Sequence, residues 1–422
     1  MQTQNTDTPE DTRDLRVVLV GYTVPDEMLD ALNRIDSVSA TPAHRLSWNI
    51  VHALEHISGA PVDLISSLPI QDFPWARKIV VRSARWNRDN GSLNVCLPFI
   101  NLLILKHLTR FLACLWFTAR WFARHRRRRR VVLLYGVHSP HQYAVLLLAK
   151  TFGATVVNIV TDLPGLAVPW QWALSNCLRR CDRRLTIAAL RAMDGLIVLT
   201  PQLAESFAPG VPFLVMEGIV CDHLNEDGRL RVPVGARAQS GRSEYIVLYA
   251  GGLTESNGVG MLLKAFALLP DAHYRLWLFG KGVLEQEVRR AAESDSRIVY
   301  WGFQPNHVVR EKLSEATVLV NPRPSGQKFT AYSFPSKLLE YMLSGRPVVT
   351  TRLPGIPSEY YPYVYLLEDE RSTGLANLLT QIAGHTKAEL DDRGRRAQSF
   401  IRCTKNQDAQ GRRMWNDILA CA

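Results

Sequence analysis

The chain has 422 residues, too many for one ordinary hydrophobic core, so two domains are expected. Its 47% hydrophobic and 21% charged residues are those of a globular protein, and seven scattered cysteines without metal-ligand spacing argue against a disulfide framework or a zinc site. The net charge of +11 calls for a polyanion as partner, either nucleic acid or an anionic membrane.

Residues 1–13 are polar and acidic and lack the basic-then-apolar pattern of a secretion signal, so a cytoplasmic protein with reduced thiols is expected. Residues 15–21 form a short apolar run ending in Gly21, as a buried parallel strand does. Residues 131–135, 155–160 and 195–200 repeat the type, with helical patterns at 143–152 and 170–193 between them. Such alternation predicts a doubly wound parallel sheet. Residues 95–122 are rich in Leu, Ile, Phe and Trp but broken by Lys106, His107, Arg110 and Arg120, so no run there spans a membrane. The basic block Arg126, Arg127, Arg128, Arg129 and Arg130 follows. An aromatic, amphipathic segment ending in arginines predicts a helix lying on the inner face of an anionic membrane, with no nucleic acid as partner. The alternative is a core helix followed by a solvated basic turn.

Polar, Gly-rich residues 221–244 predict a domain boundary. Strand patterns restart at 245–250 and recur at 275–279, 298–301, 317–320, 348–350 and 363–366, before a mostly helical stretch at 390–420. The expected architecture is α/β, with two Rossmann-like parallel-sheet domains facing a central cleft. They occupy residues 1–225 and 240–400, and a C-terminal helix at 401–422 packs back on the first.

In the second half, the strand ends carry a common chemistry. Gly251 and Gly252 follow the strand at 245–250 and let backbone approach a ligand closely. Lys281 stands between two glycines after the next strand, where ligands of parallel sheets bind; it holds a diphosphate or is a solvated turn lysine. Trp301 and Phe303 end a third strand, as a platform for a flat base or as core. Arg323 ends a fourth, and a loop of about ten residues carries it and Lys328 toward Phe334, Pro335, Ser336, Lys337 and Glu340. Pro335 suits the first turn of a helix, whose free N–H groups favour an anion, and Glu340 one turn in accepts from vicinal hydroxyls. Phosphate beside hydroxyls describes a nucleotide-sugar.

Residues 249–365 resemble the donor-binding domain of retaining glycosyltransferases of family 4, which have the two-domain GT-B fold. The resemblance implies that Glu340 holds the ribose hydroxyls. The family's other acid falls on Tyr332, and its two cations of the first glycine turn fall on Gly252 and Asn257, so all three charges are missing here. These departures resemble a branch making bacterial exopolysaccharide and lipid-linked glycans, and they leave the phosphate charge to Lys281, Lys328, Arg323 or Lys337. On the acceptor side, His138 and His141 follow one strand of the first half and Asp162 the next, at the rim expected to face a ligand. Asp162 matches a family position contacting the transferred sugar; each histidine either takes part in transfer or caps a helix. Glu217 ends a further strand, to contact the donor or to bond linker backbone. The resemblance implies transfer with retention to a lipid-linked or other saccharide acceptor, without metal or other cofactor. An epimerase of the same fold and a non-catalytic nucleotide-sugar-binding protein are the alternatives.

Overall fold

The computed structural model describes residues 14–34, 41–71, 73–74, 76–164, 173–220 and 244–422. The boundary expected at 221–244 lies outside them apart from Glu244, as do residues 1–13, Gly165 and the expected helix start at Trp170. The chain forms two compact units, Met1–Cys221 with Gln407–Ala422, and Asp222–Asn406.

The first unit holds β1 (Leu15–Gly21), β2 (Asp63–Ser66), β3 (Val80–Val81), β4 (Ala84–Arg85), β5 (Asn94–Cys96), β6 (Phe99–Ile100), β7 (Arg129–Tyr135), β8 (Thr155–Val160), β9 (Gly195–Val198) and β10 (Phe213–Val215). Eight of these form one sheet in the order β10-β9-β8-β7-β1-β2-β5-β4, parallel except for β4; β3 and β6 pair separately. Residues 17–20 of β1 and 131–135 of β7 are unbroken apolar runs because both faces of the sheet are buried there. β2 and β5 escaped the sequence pattern because they carry polar residues. Asp63 in β2 is buried, and its carboxylate accepts from the Leu93 N–H at 2.6 Å and the Trp121 indole at 2.7 Å. Specific hydrogen bonds make such a carboxylate tolerable in a core.

The amphipathic segment begins later than its composition suggests. Residues 94–96 and 99–100 are strands, and the helix runs over Leu103–Arg124. Among the described residues no helix is long and apolar enough to cross a membrane. The arginine block is not one solvated run either. Arg129 and Arg130 open β7, and Arg130 donates to the Phe152 carbonyl with its guanidinium over the Phe122 ring. The helix Gln407–Cys421 packs on the helix Thr41–Ser58 through Gly411, where a Cβ would come within 2.8 Å of the Ile57 side chain. Met414, Trp415 and Ile418 complete the same core as Leu54 and Val62.

The second unit contains β11 (Tyr245–Ala250), β12 (Tyr274–Phe279), β13 (Ile298–Gly302), β14 (Val318–Asn321), β15 (Val348–Thr351) and β16 (Tyr365–Leu367). All pair in parallel, in the order β13-β12-β11-β14-β15-β16. The order reverses between β11 and β14, and in the first unit between β1 and β7. Ligands of open parallel sheets bind at the C-terminal ends of the two strands flanking such a reversal.

Candidate active site

In the second unit the backbones after β11, β12 and β14 approach one another closely at the reversal. Gly258 has φ +77°, and a Cβ on it would fall 1.9 Å from the Pro322 carbonyl oxygen. Gly280 has φ +127°, and a Cβ there would fall 1.8 Å from the Gly251 carbonyl oxygen. Both positions need glycine for conformation and for space. The Gly251 turn is then held by side chains. The Gly252 carbonyl accepts from the Tyr249 hydroxyl at 2.8 Å and from Asn257 at 2.9 Å. Buried Tyr341 accepts from the Ala250 N–H at 2.8 Å and lies 3.2 Å from its carbonyl. Tyr341→Phe is expected to lower unfolding stability by about 1–3 kcal/mol, because it strips a partner from backbone inside the fold. An unchanged urea midpoint would refute this.

Lys337 enters the space above Gly251. Its Nζ would lie 1.3 Å from a Gly251 Cβ, stands 3.3 Å from the Tyr249 hydroxyl and sits 4.9 Å from the Tyr249 ring centre. Burial pulls the Lys337 ammonium down to about 8; Glu340 draws it back up, and Arg323 adds to the lowering. Arg323 comes from the end of β14, with its guanidinium 4.5 Å from the Phe329 ring centre and 3.4 Å from Ser333 Oγ. Burial lowers its pKa as well, and its Nε has no partner among the described residues. Two desolvated cations over a glycine turn favour a bound anion, which would restore their lost solvation. The loop carrying Arg323 is tied down: the Ser325 N–H donates to Glu370 at 2.8 Å, and Lys328–Tyr332 forms a 3-10 turn.

The remaining donor-side residues divide by burial. Phe334 and Pro335 are buried, and Phe334 packs on Tyr360 at 5.5 Å between ring centres, so they anchor the turn. The helix that follows is short, Lys337–Leu343; Ser336 is exposed, already αR, and caps nothing. Cationic character at this corner therefore comes chiefly from the Lys337 side chain. Glu340 is exposed one turn further on. Lys281 and Lys328 are exposed, with Lys281 Nζ 5.1 Å from the centre of the Phe303 ring. Phe303 is 70% exposed, whereas Trp301 stacks on Phe279 at 5.5 Å as part of the packing.

In the first unit a cavity of about 350 Å³ opens at the other reversal, between the ends of β1 and β7. Its lining includes Tyr22, His44, Tyr135, His138, Asp162 and Asp182. Asp162 is exposed and accepts from the Thr161 hydroxyl at 2.9 Å. His138 precedes the helix Ser139–Phe152 without capping it by its side chain, and neither ring nitrogen has a partner among the described residues. His141 does not line the cavity. It is buried behind His138, with ring centres 4.4 Å apart, and its Nε2 is 3.1 Å from Ser67 Oγ. Burial first, then His141, Arg110, His107 and Lys106, hold the His138 pKa well below the usual histidine range. Burial, Arg110 and His107 bring His141 down to about 3. Both are neutral at pH 7. The Gly136 turn that aims His138 is fixed by buried Asn158, which donates to the Gly136 carbonyl at 3.1 Å and accepts from Gln142 at 3.0 Å. Tyr22 and His44 escaped sequence reasoning. Tyr22 directly follows β1 and obeys the strand-end rule already applied to His138. His44, bonded to Asp26 at 2.8 Å, lies inside a helix with no local signal. Glu217 is buried beyond β10. Among the described residues no three His, Cys, Asp or Glu side chains gather as a metal site.

Residues 244–384 match the family model of glycosyl transferases group 1. Over 169 residues the chain is 27% identical to the colanic acid biosynthesis glycosyltransferase WcaL of Escherichia coli (strain K12), covering 38% of this chain and 42% of WcaL. The chain thus spans less than half the length of that relative. Among solved structures, the sucrose-phosphate synthase of Thermosynechococcus elongatus superposes with a TM-score of 0.63 at 16% identity, over 96% of this chain and 100% of that one. Anabaena HepE in complex with UDP superposes with a TM-score of 0.57 at 12% identity, over 96% and 100%. Such identities speak for the fold alone. The chain therefore has the GT-B fold of two Rossmann-like domains, and its residues 244–384 match the model of the glycosyl transferases group 1 family.

Proposed function

We propose that the protein is a retaining glycosyltransferase of bacterial polysaccharide synthesis, working at the cytoplasmic face of the membrane. It moves a hexosyl or related sugar from a nucleotide-sugar to a lipid-linked saccharide. The observation that carries this reading is the pair of desolvated cations, Lys337 and Arg323, over the glycine turn at the reversal of the second sheet, inside the family-matched segment. The diphosphate binds there, with Glu340 on the ribose hydroxyls and Phe303 beside the base. The bond from the anomeric carbon to the leaving phosphate breaks while the acceptor oxygen bonds to the same carbon, and the acceptor proton passes to the departing phosphate. Positive charge grows on the sugar and negative charge on the diphosphate. Fixed cations stabilise that negative charge without reorganising. In this reading no metal is required, because protein side chains meet the diphosphate charge. On the first unit, the cavity with His138 and Asp162 takes hydroxyls of the saccharide acceptor.

A thermal-shift series with nucleoside diphosphates and nucleotide-sugars tests the donor half. A ligand at a hundred times its Kd stabilises by about 2.7 kcal/mol, a shift of several degrees. The expected result is a shift with one nucleoside diphosphate, matched by one of its sugars and retained in EDTA. No shift with any of them would overturn the reading. Turnover of a nucleotide-sugar without acceptor, conserving the sugar on its nucleotide, would replace it with an epimerase.

A further inference from the structure

Between Asp89 and Asp162 the chain carries ten Lys and Arg residues and not one Asp or Glu. This stretch contains the helices Leu103–Arg124 and Ser139–Phe152, which pack on each other. The inner side of the first helix is spent on the fold. Cys114, Thr118, Trp121 and Phe122 are buried, while Lys106 and Arg110 turn inward to donate to the Ile70 and Leu68 carbonyls at 2.7 Å each. Its outer side is apolar where a surface helix ought to be polar. Leu105, Leu108, Leu112 and Trp116 are all exposed, Trp116 to 62%. Their spacing of three, four and four places them on one stripe. Phe152 of the second helix, also exposed, stacks on buried Phe122 at 5.4 Å between ring centres. Exposed Arg120, Arg124, Arg126 and Arg127 follow the stripe at its C-terminal end.

We infer that this stripe and its arginine end dock on an anionic lipid bilayer. Charge decides the occupant. A second copy of the chain would bring exposed Arg120, Arg124, Arg126 and Arg127 against the same four arginines. A bilayer with anionic headgroups offers negative charge to the arginines and an apolar layer to the leucines at once. Trp116 belongs at the headgroup level, where an amphipathic ring is most favourable. The helix lies in the interface plane, since its inner side stays within the first unit. The contacting residues are Leu105, Leu108, Leu112, Trp116, Arg120, Arg124, Arg126 and Arg127, rather than the run from Arg126 to Arg130.

Vesicle flotation of the full chain at physiological ionic strength tests this without nucleotide or acceptor, so its result stands apart from the donor reading. Vesicles of phosphatidylcholine with one third phosphatidylglycerol should carry the protein up, and vesicles of phosphatidylcholine alone should not. Arg124→Gln, Arg126→Gln and Arg127→Gln together should weaken binding about a hundred-fold, at roughly five-fold per arginine. Leu112→Glu with Trp116→Glu should weaken it about ten-fold or more. Both sites are exposed, so the melting temperature should not fall, and Val283→Glu, an exposed site on the second unit, should bind vesicles as the parent does. Equal flotation of parent and Leu112/Trp116 variant would overturn the proposal, as would absence of binding to anionic vesicles. So would light scattering that shows a dimer which this variant dissociates.

Discussion

Lys337→Met is expected to weaken nucleoside-diphosphate binding by roughly 30- to 150-fold while raising the melting temperature at neutral pH. Both signs follow from one fact: burial and Arg323 depress the ammonium to about 8, against the pull of Glu340. A lysine whose folded pKa is lowered binds fewer protons in the folded than in the unfolded chain. Below pH 8 the full cost of holding it charged falls on the fold, and that cost fades as pH rises from about 8 toward the ordinary lysine value. Methionine keeps the aliphatic stem and removes the cost. A bound diphosphate reverses the balance, because an anion beside the amine makes the charged form the preferred one. Loss of a charge-assisted contact of this kind is worth about 2–3 kcal/mol. The same argument fixes a pH signature. Affinity in the parent should hold below pH 8 and fall as pH rises through it, by up to about ten-fold per unit, because free Lys337 must first take up a proton. Calorimetry in buffers of different ionisation enthalpy should detect that proton uptake near pH 8.5. In the Lys337→Met variant both slope and proton uptake should vanish. A parent affinity that is flat from pH 7 to 9.5 would sink the assignment of Lys337 to the diphosphate.

Which lysine would meet the proposed diphosphate was not legible in the sequence, although the strand ends that frame it were. Four strand ends and one turn pointed to a phosphate site, since ligands of parallel sheets gather at such ends whatever the side chains are. The choice among Lys281, Lys328, Arg323 and Lys337 depends on side-chain direction at the start of a seven-residue helix and on the space that Gly251, lacking a Cβ, leaves to Lys337. Neither is a property of spacing. The same limit explains the strands. Residues 15–21, 131–135 and 245–250 announced themselves because strands buried on both faces must be continuously apolar. Asp63–Ser66 stayed hidden because its carboxylate is paid for by Trp121 and the Leu93 backbone, partners fixed only after folding. The strand expected from 363 begins at Tyr365, because Ser358–Tyr363 with its internal Pro362 makes a 3-10 turn instead. Aromatic content there read as strand, yet Tyr360 is wholly buried and Tyr363 stacks on Phe400 at 4.5 Å.

His138→Ala should lower kcat by roughly a hundred- to a thousand-fold without changing nucleotide affinity, whereas His141→Ala should first lower stability. Sequence placed the two histidines in one role, three residues apart at a strand end. The structure separates them: His138 faces the cavity with both ring nitrogens unpartnered among the described residues, and His141 fills the core behind it with Nε2 on Ser67. A neutral imidazole lining a cavity can orient a sugar hydroxyl, and misplacing a reacting group costs about a hundred-fold or more in rate. Truncating buried His141 leaves a cavity and orphans the Ser67 hydroxyl, at a cost of about 2–4 kcal/mol. The pH profile adds a readout that a purely structural role would not move. Burial and the cations Arg110 and Lys106 keep His138 neutral well below the usual histidine range. Activity should therefore show no limb near pH 6.5 from this residue, and any such limb in the parent should persist in the His138→Ala variant. Loss of the limb on substitution would mean that His138 titrates in the ordinary range and that the cavity wets it. A variant with full kcat would remove His138 from the reaction and leave Tyr22, His44, Asp162 and Asp182 among the polar groups through which the cavity could act.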